Sequence, residues 1–115
     1  AKNVDNIVAI VDYNKKQIDG PTDDVLSLGD LRAKYESFGW KVWECNGNDM
    51  QELVDTFNKI RENAHKGQSQ ILLAHTEMGM GVDFMMGTHK WHGVAPNDEQ
   101  AANALSQLKE TLGDY

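Results

Sequence analysis

Short apolar runs alternate with longer amphipathic stretches along the first two thirds of the chain, and the two patterns predict different elements. The runs at 7–11, 40–45 and 70–75 are five or six residues long and mostly apolar, as buried β-strands are. The stretches between them repeat apolar residues every three or four positions, which predicts helices. The order β, α, β, α, β predicts an α/β fold with an open parallel sheet and right-handed crossovers.

The run at 7–11 reads IVAIV and contains no polar residue, so it predicts a strand that is buried on both faces. Polar residues follow it at once, among them Asn14. Ligands of open α/β sheets bind at the carboxyl ends of the strands, which makes Asn14 a candidate functional residue. The commoner role of an Asn after a strand is to form a turn, and both interpretations stay open at this point.

Pairs of polar residues three positions apart predict where the helices begin. The pairs are Ser27 with Asp30, Asp49 with Glu52, and Asn97 with Gln100. Gly39 and Gly67 predict where the first two helices end. The apolar residues expected to face the core are Leu28, Leu31, Tyr35 and Phe38 in the first helix, Met50, Leu53, Val54, Phe57, Ile60 and Ala64 in the second, and Ala101, Leu105, Leu108 and Leu112 in the third.

Residues 76–96 show no period and are rich in glycine and methionine, which predicts an unusually long loop of about twenty residues. Loops of that length in compact domains are often functional. His89 and His92 lie in it three positions apart, but without a third ligand they are a weak signal for zinc. We expect His75, at the end of the third strand, to be a hydrogen-bonded structural residue.

The chain has 115 residues and a net charge of −7, without a cluster of lysine or arginine. Because of these features we expect neither a nucleic-acid partner nor binding to an anionic membrane surface. The one cysteine, Cys45, excludes an internal disulfide and fits a reducing, cytoplasmic location, where it would serve as a small buried apolar residue. No run approaches the ~20 apolar residues of a membrane span, and no signal peptide is visible.

A sheet of only three strands leaves two edges open and buries little apolar surface. The first strand also begins only a few residues after Ala1. We therefore expect residues 1–115 to be a single but partial domain that needs further structure beside it.

Four motifs in this order and spacing give the chain a specific resemblance. They are VDYNKKQIDGPTDDVLSL, FGWKVWECNGNDM, AHTEMGMGV and WHGVAPNDEQ. Together they resemble transketolase, and most closely the C-terminal part of the separately encoded N-terminal subunits of the split prokaryotic type. The resemblance implies a three-layer α/β fold of the thiamine diphosphate-binding kind, here incomplete, with about three strands and three helices. It makes residues 1–115 part of the domain that binds the cofactor's diphosphate.

The resemblance also implies a set of site residues. Asn14 and the backbone carbonyl of Lys16 would bind a divalent metal, Mg²⁺ or Ca²⁺, which holds the diphosphate, and Ile18 would pack near the cofactor. His92 would bind the cofactor and act in catalysis between the diphosphate and the sugar. Two features depart from the family: the Gly-Asp-Gly that supplies a carboxylate ligand is absent, and Met78-Gly79-Met80-Gly81 stands where split subunits often have Lys-Gly-Lys-Gly.

The function implied is the transfer of a two-carbon ketol group from a ketose phosphate to an aldose phosphate, as in the pentose phosphate pathway. The implied partners are the C-terminal subunit, the missing N-terminal part of the same domain, sugar phosphates, and further copies in a dimer or other oligomer. The chain alone is expected to be inactive. Two alternatives stay open: an enzyme similar to deoxyxylulose-phosphate synthase, and a non-catalytic α/β assembly module that lacks the metal site.

Overall fold

The computed structural model describes residues 4–109, in which the chain forms five strands and four helices. The strands are β1 (Val8–Asp12), β2 (Lys16–Gln17), β3 (Gly20–Pro21), β4 (Lys41–Asn46) and β5 (Gln70–His75). The helices are α1 (Thr22–Leu26), α2 (Leu31–Ser37), α3 (Met50–Glu62) and α4 (Asp98–Gln107). The three long strands and the three longest helices are the predicted ones, whereas the β2–β3 hairpin and α1 were not predicted.

The strand β5 lies at the centre of a three-stranded parallel sheet with the order β1-β5-β4. Its Ile71 is opposite Ala9 of β1 and Val42 of β4. Because β5 is paired on both sides and covered on both faces, its residues from Gln70 to Ala74 are all buried. The α/β fold with a parallel sheet is therefore confirmed.

Side chains of β5 alternate between two small cores on opposite faces of the sheet. Leu72 and Ala74 pack with Cys45 and with Ile60 of α3. Ile71 and Leu73 pack with Val42, and the half-buried side chains against them include those of Leu31 and Tyr35 in α2. The sheet thus has a helix on each face, in the predicted three layers, and Cys45 has the predicted buried position.

The buried polar side chain of Gln70 ties α3 to the sheet. Its Nε2 donates to the carbonyl oxygen of Ile60 at 3.0 Å. Its Oε1 accepts from Trp43 Nε1 at 2.9 Å and from Asn63 Nδ2 at 3.3 Å. Because every polar atom of a buried amide needs a partner, this network fixes where the carboxyl end of α3 meets the sheet.

The prediction that the first strand is buried on both faces is wrong. Ala9 and Val11 pack against the core on the α2 side, but Val8 and Ile10 point to the other face and are 43% and 59% exposed. On that face α3 lies over β4, and no element among residues 4–109 covers β1. An unbroken apolar run cannot reveal this, because burial depends on what lies across the sheet.

The helix starts agree with the predicted caps more closely than the buried faces agree with the periodicity. The predicted end at Gly67 is wrong, because α3 ends at Glu62. Asp49 caps α3, and Asn97 with Gln100 forms the predicted capping box of α4. The cap of α2 is Asp30 instead of Ser27, and Leu28 precedes the helix. Several residues expected in the core are instead exposed, namely Phe38, Met50, Val54, Phe57, Leu105 and Leu108. Leu112 lies outside the described residues.

Residues 76–96 contain turns without helix or strand, as predicted. Val82 is the buried anchor of this loop, and Asp83 connects the loop to α4 because its backbone N–H donates to Gln107 Oε1 at 2.8 Å.

Within residues 4–109, no helix combines the length and the apolar character that crossing a membrane requires.

Candidate functional site

The carboxyl ends of the three parallel strands meet at one edge of the sheet, where they border an open pocket of about 310 Å³. The strands end there at Asp12, Asn46 and His75. The residues that line the pocket are Tyr13, Asn14, Lys15, Lys16, Asn46, Asn48, His75, Thr76, Glu77 and Met80. The position predicted for a ligand site from the strand order is thus a real concavity, and Asn14 and Lys16 are both in its wall.

Asn14 and Lys16 present two oxygens from one short segment. The Oδ1 of Asn14 accepts the backbone N–H of Lys16 at 2.9 Å, which fixes the amide and leaves a second lone pair on that oxygen. Lys16 pairs with Pro21 across the hairpin, and the hydrogen bond from the Thr22 N–H to the Lys15 carbonyl at 2.9 Å makes this a non-hydrogen-bonded pair, so the Lys16 carbonyl points away from the partner strand. Lys15 between them has a positive φ of 58°, so the chain turns sharply here.

The turn after β4 forms the opposite wall of the pocket. The backbone N–H of Gly47 donates to the carbonyl oxygen of His75 at 2.7 Å. A Cβ at Gly47 would lie 2.5 Å from Thr76 Cγ2, so only glycine lets the two segments approach this closely. Asn48 Oδ1 accepts the backbone N–H of Glu77 at 2.6 Å. Asn46 and Asn48 were not among the predicted site residues, although they lie at the end of a strand, which was the signal that singled out Asn14.

His75 is held at the pocket by an acid behind it. Its Nε2 lies 2.8 Å from Glu44 Oε2, and the other carboxylate oxygen of Glu44 accepts from Arg32 Nη1 at 2.9 Å. The hydrogen bond with His75, followed by that from Arg32, lowers the pKa of Glu44 below its ordinary value of 4.5. The predicted hydrogen-bonded role of His75 is confirmed, and the ring also lies 5.3 Å from the ring of Tyr13.

Ile18 and His92 are not among the residues that line the pocket. Ile18 is at the tip of the hairpin and is 68% exposed. His92 is exposed too, in a turn where its N–H donates to the carbonyl of His89 at 3.0 Å. Their expected parts in cofactor binding and catalysis stay predictions.

The oxygen atoms of Asn14 and Lys16 are suitable ligands for part of the coordination shell of a hard cation. Mg²⁺ takes about six oxygens, and an amide oxygen with a free lone pair and a carbonyl without a ladder partner are suitable neutral ligands. Across residues 4–109, the side chains of His, Cys, Asp and Glu form no group of three that could hold a metal ion. A metal here would take further oxygens to complete its shell, and those of an anionic ligand are suitable.

The sequence matches one protein family over nearly its whole length. The family is described as "Transketolase, thiamine diphosphate binding domain", and the match covers residues 1–113. The chain belongs to the transketolase family. The resemblance read from its four motifs is thereby confirmed.

Curated relatives of this transketolase-family chain include subunits of two-part enzymes. It is 39% identical over 109 residues to an apulose-4-phosphate transketolase subunit of Phocaeicola vulgatus, a match that covers 95% of this chain and 38% of the relative. It is 29% identical over 109 residues to "6-deoxy-6-sulfo-D-fructose transketolase subunit SqwG" of a Clostridium species, which covers 95% and 39%. The chain thus spans less than two fifths of the length of these relatives.

Solved transketolases share the fold. The structure of transketolase from Campylobacter jejuni superposes with a TM-score of 0.80 at 24% identity, over 91% of this chain and 16% of that one. The likeness supports the interpretation of the three layers as part of a thiamine diphosphate-binding fold.

Proposed function

We propose that this chain supplies the diphosphate-binding and metal-binding part of a transketolase that works with thiamine diphosphate and a divalent metal, Mg²⁺ or Ca²⁺. The observation that carries the proposal is that Asn14, whose Oδ1 keeps a free lone pair, and Lys16 both lie in the wall of a pocket at the carboxyl edge of the sheet. The family match to the thiamine diphosphate-binding domain supports this assignment.

Asn14 and Lys16 would hold the metal through neutral oxygens, which adds no negative charge beside the diphosphate. When bound, thiamine diphosphate supplies the carbanion chemistry by which a ketol group is transferred. The part of this chain is to bind and orient the diphosphate end, while His75, oriented by Glu44, offers a hydrogen-bonding ring at the same pocket.

His92 is the proposed catalytic residue of this chain, because an imidazole can orient a sugar hydroxyl and move a proton near neutral pH. It is also proposed, with Ile18, to contact the cofactor. Both side chains are exposed in the chain and are thus available to a ligand that extends beyond the pocket. In the assembled enzyme, His92→Ala should lower kcat more than it weakens cofactor binding.

The proposed reaction moves a two-carbon ketol unit from a phosphorylated ketose to an aldose phosphate in the cytoplasm. One relative is named for apulose-4-phosphate and another for a sulfonated fructose, so both names indicate ketoses with an anionic group. Both relatives are also named as subunits, which supports a separate C-terminal subunit that partners this chain, and we propose that the complete enzyme is a dimer or larger oligomer.

The test is calorimetric titration of thiamine diphosphate into the whole protein that carries this chain, with its partner subunit present. We expect saturable binding that requires Mg²⁺ and that Asn14→Ala weakens at least about tenfold, since one metal ligand is lost. Asn58→Ala is the matched control, because Asn58 is an exposed helical residue that accepts from Arg61 far from the pocket. Binding that does not depend on Mg²⁺, or that Asn14→Ala leaves unchanged, would overturn the proposal. The absence of any binding would overturn it too and would favour an assembly module.

A further inference from the structure

The side chain of Lys16 is largely buried beside the pocket although a lysine is normally solvated. It is only 16% exposed, and the residue belongs to the pocket wall. Burying most of a lysine without a strong partner is unfavourable, so its position calls for an electrostatic reason. The backbone carbonyl of the same residue is the proposed metal ligand, which would not by itself require a charged side chain.

The acid beside Lys16 is only a loose partner. Lys16 Nζ lies 3.6 Å from Glu77 Oε1, which is longer than a direct hydrogen bond. That oxygen already accepts the backbone N–H of Gly87 at 2.8 Å, and this bond is the main reason why the pKa of Glu77 lies below its ordinary value. Glu77 therefore keeps the ammonium over the pocket while leaving N–H groups of Lys16 free to donate.

The residues that line the pocket include more lysines than carboxylates, unlike the chain as a whole. The chain as a whole has a net charge of −7. Among the lining residues, Lys15 and Lys16 outnumber the one carboxylate, that of Glu77. The nearby carboxylates of Asp12 and Glu44 already accept hydrogen bonds, from Thr76 and from Arg32. A small region of positive potential in an acidic protein favours an anionic ligand at that place.

We propose that the Lys16 ammonium donates directly to a diphosphate oxygen, so that one residue binds the metal through its carbonyl and the anion through its side chain. This inference rests on the proposed function. It makes Lys16 a determinant of selectivity for the diphosphate over unphosphorylated thiamine. Glu77 is the counter-ion of the Lys16 ammonium before the ligand binds. On binding, the ammonium donates to the diphosphate oxygen in place of Glu77.

The test is titration of Mg²⁺-pyrophosphate and of thiamine diphosphate into the whole protein with its partner subunit, without any turnover. Lys16→Met keeps the backbone carbonyl and the length of the side chain but removes the charge. We expect it to weaken both ligands about tenfold and to make their binding less sensitive to salt, because a charge-assisted hydrogen bond is lost. Lys16→Arg should retain binding within about threefold.

Lys59→Met is the control for overall charge, because Lys59 lies on α3 and not in the pocket wall. Tight binding by the wild type together with an unchanged Lys16→Met would overturn the role of the ammonium and leave the proposed function standing. Equal weakening by Lys16→Met and Lys59→Met would also overturn it, since only net charge would then matter. A wild-type protein that binds neither ligand would overturn the inference and the proposed function together.

Discussion

At the scale of single residues, the site depends on contacts between side chains far apart in the chain. Glu44 joins Arg32, which is 12 residues before it, to His75, which is 31 residues after it. The sequence predicted that His75 would be hydrogen-bonded but could not name the partner, because the contact exists only after β4 and β5 have paired in register. The place of Asn14 in the pocket wall was predictable because β1 ends two residues before it, at Asp12.

The Glu44 carboxylate should make stability depend on pH. Its pKa is lowered in the folded state by His75 and Arg32, so its contribution is complete above the unfolded value of about 4.5 and is lost as the pH falls through the lower folded value. Urea denaturation at about pH 7 and about pH 3.5 should show that Glu44→Gln is less stable at the higher pH and loses less on acidification. Glu99→Gln, in the first turn of α4, should follow the wild type. If acidification lowered the free energy of unfolding of Glu44→Gln as much as that of the wild type, the prediction would be wrong.

Two glycines of the loop should differ in their tolerance of alanine although their backbones are alike. Gly79 and Gly87 both have a φ of 72°. A Cβ at Gly79 would lie 2.5 Å from Met85 Cβ, whereas one at Gly87 would meet nothing within 4 Å. Gly87→Ala should lower the free energy of unfolding by about 1 kcal/mol, from the left-handed backbone alone. Gly79→Ala should cost about 1–3 kcal/mol more, measured by chemical denaturation; equal costs would show that the loop shifts freely.

At the scale of elements, local sequence signals predicted which long helices and strands form, whereas tertiary contacts decided which of their residues are buried. The caps at Asp49 and Asn97 are local hydrogen bonds, so the sequence could specify them. The exposure of Leu105, which is 71%, and of Ile10 could not be predicted, because it depends on which surface lies opposite. The unpredicted β2–β3 hairpin has only two residues in each strand and gives no periodic signal.

The cap of α3 should contribute to stability and to the shape of the pocket. Asp49 accepts the backbone N–H groups of Gln51 and Glu52 at 2.9 and 3.0 Å. Asp49→Ala should therefore lower the free energy of unfolding by about 0.5–2 kcal/mol in urea denaturation. Asp55→Ala is the matched control, because Asp55 is an exposed residue inside the same helix and should cost less than about 0.5 kcal/mol. Equal losses in the two variants would show that the cap contributes nothing.

At the scale of the whole molecule, the sheet has an apolar face and two edges that residues 4–109 leave open. The face of β1 that carries Val8 and Ile10 lies on an edge strand, and such edges pair readily with other chains. The sequence predicted the need for further structure from the number of strands, but not which face would be bare.

The 115-residue chain by itself should therefore self-associate through β1. Sedimentation velocity of this chain should show concentration-dependent association, and Ile10→Lys should shift it toward the monomer, because a charge on an edge strand opposes pairing. Phe38→Lys, which replaces another exposed apolar residue remote from β1, should leave the association unchanged. A wild-type chain that remains monomeric at every concentration would contradict this prediction.

A crystal structure of the whole protein with thiamine diphosphate and Mg²⁺ bound would test the assignment of the metal ligands directly. We expect the metal at about 2.0–2.1 Å from Asn14 Oδ1 and from the Lys16 carbonyl oxygen, with the diphosphate in the pocket at the carboxyl edge of the sheet. A metal that contacts neither oxygen, or a diphosphate bound elsewhere, would contradict it.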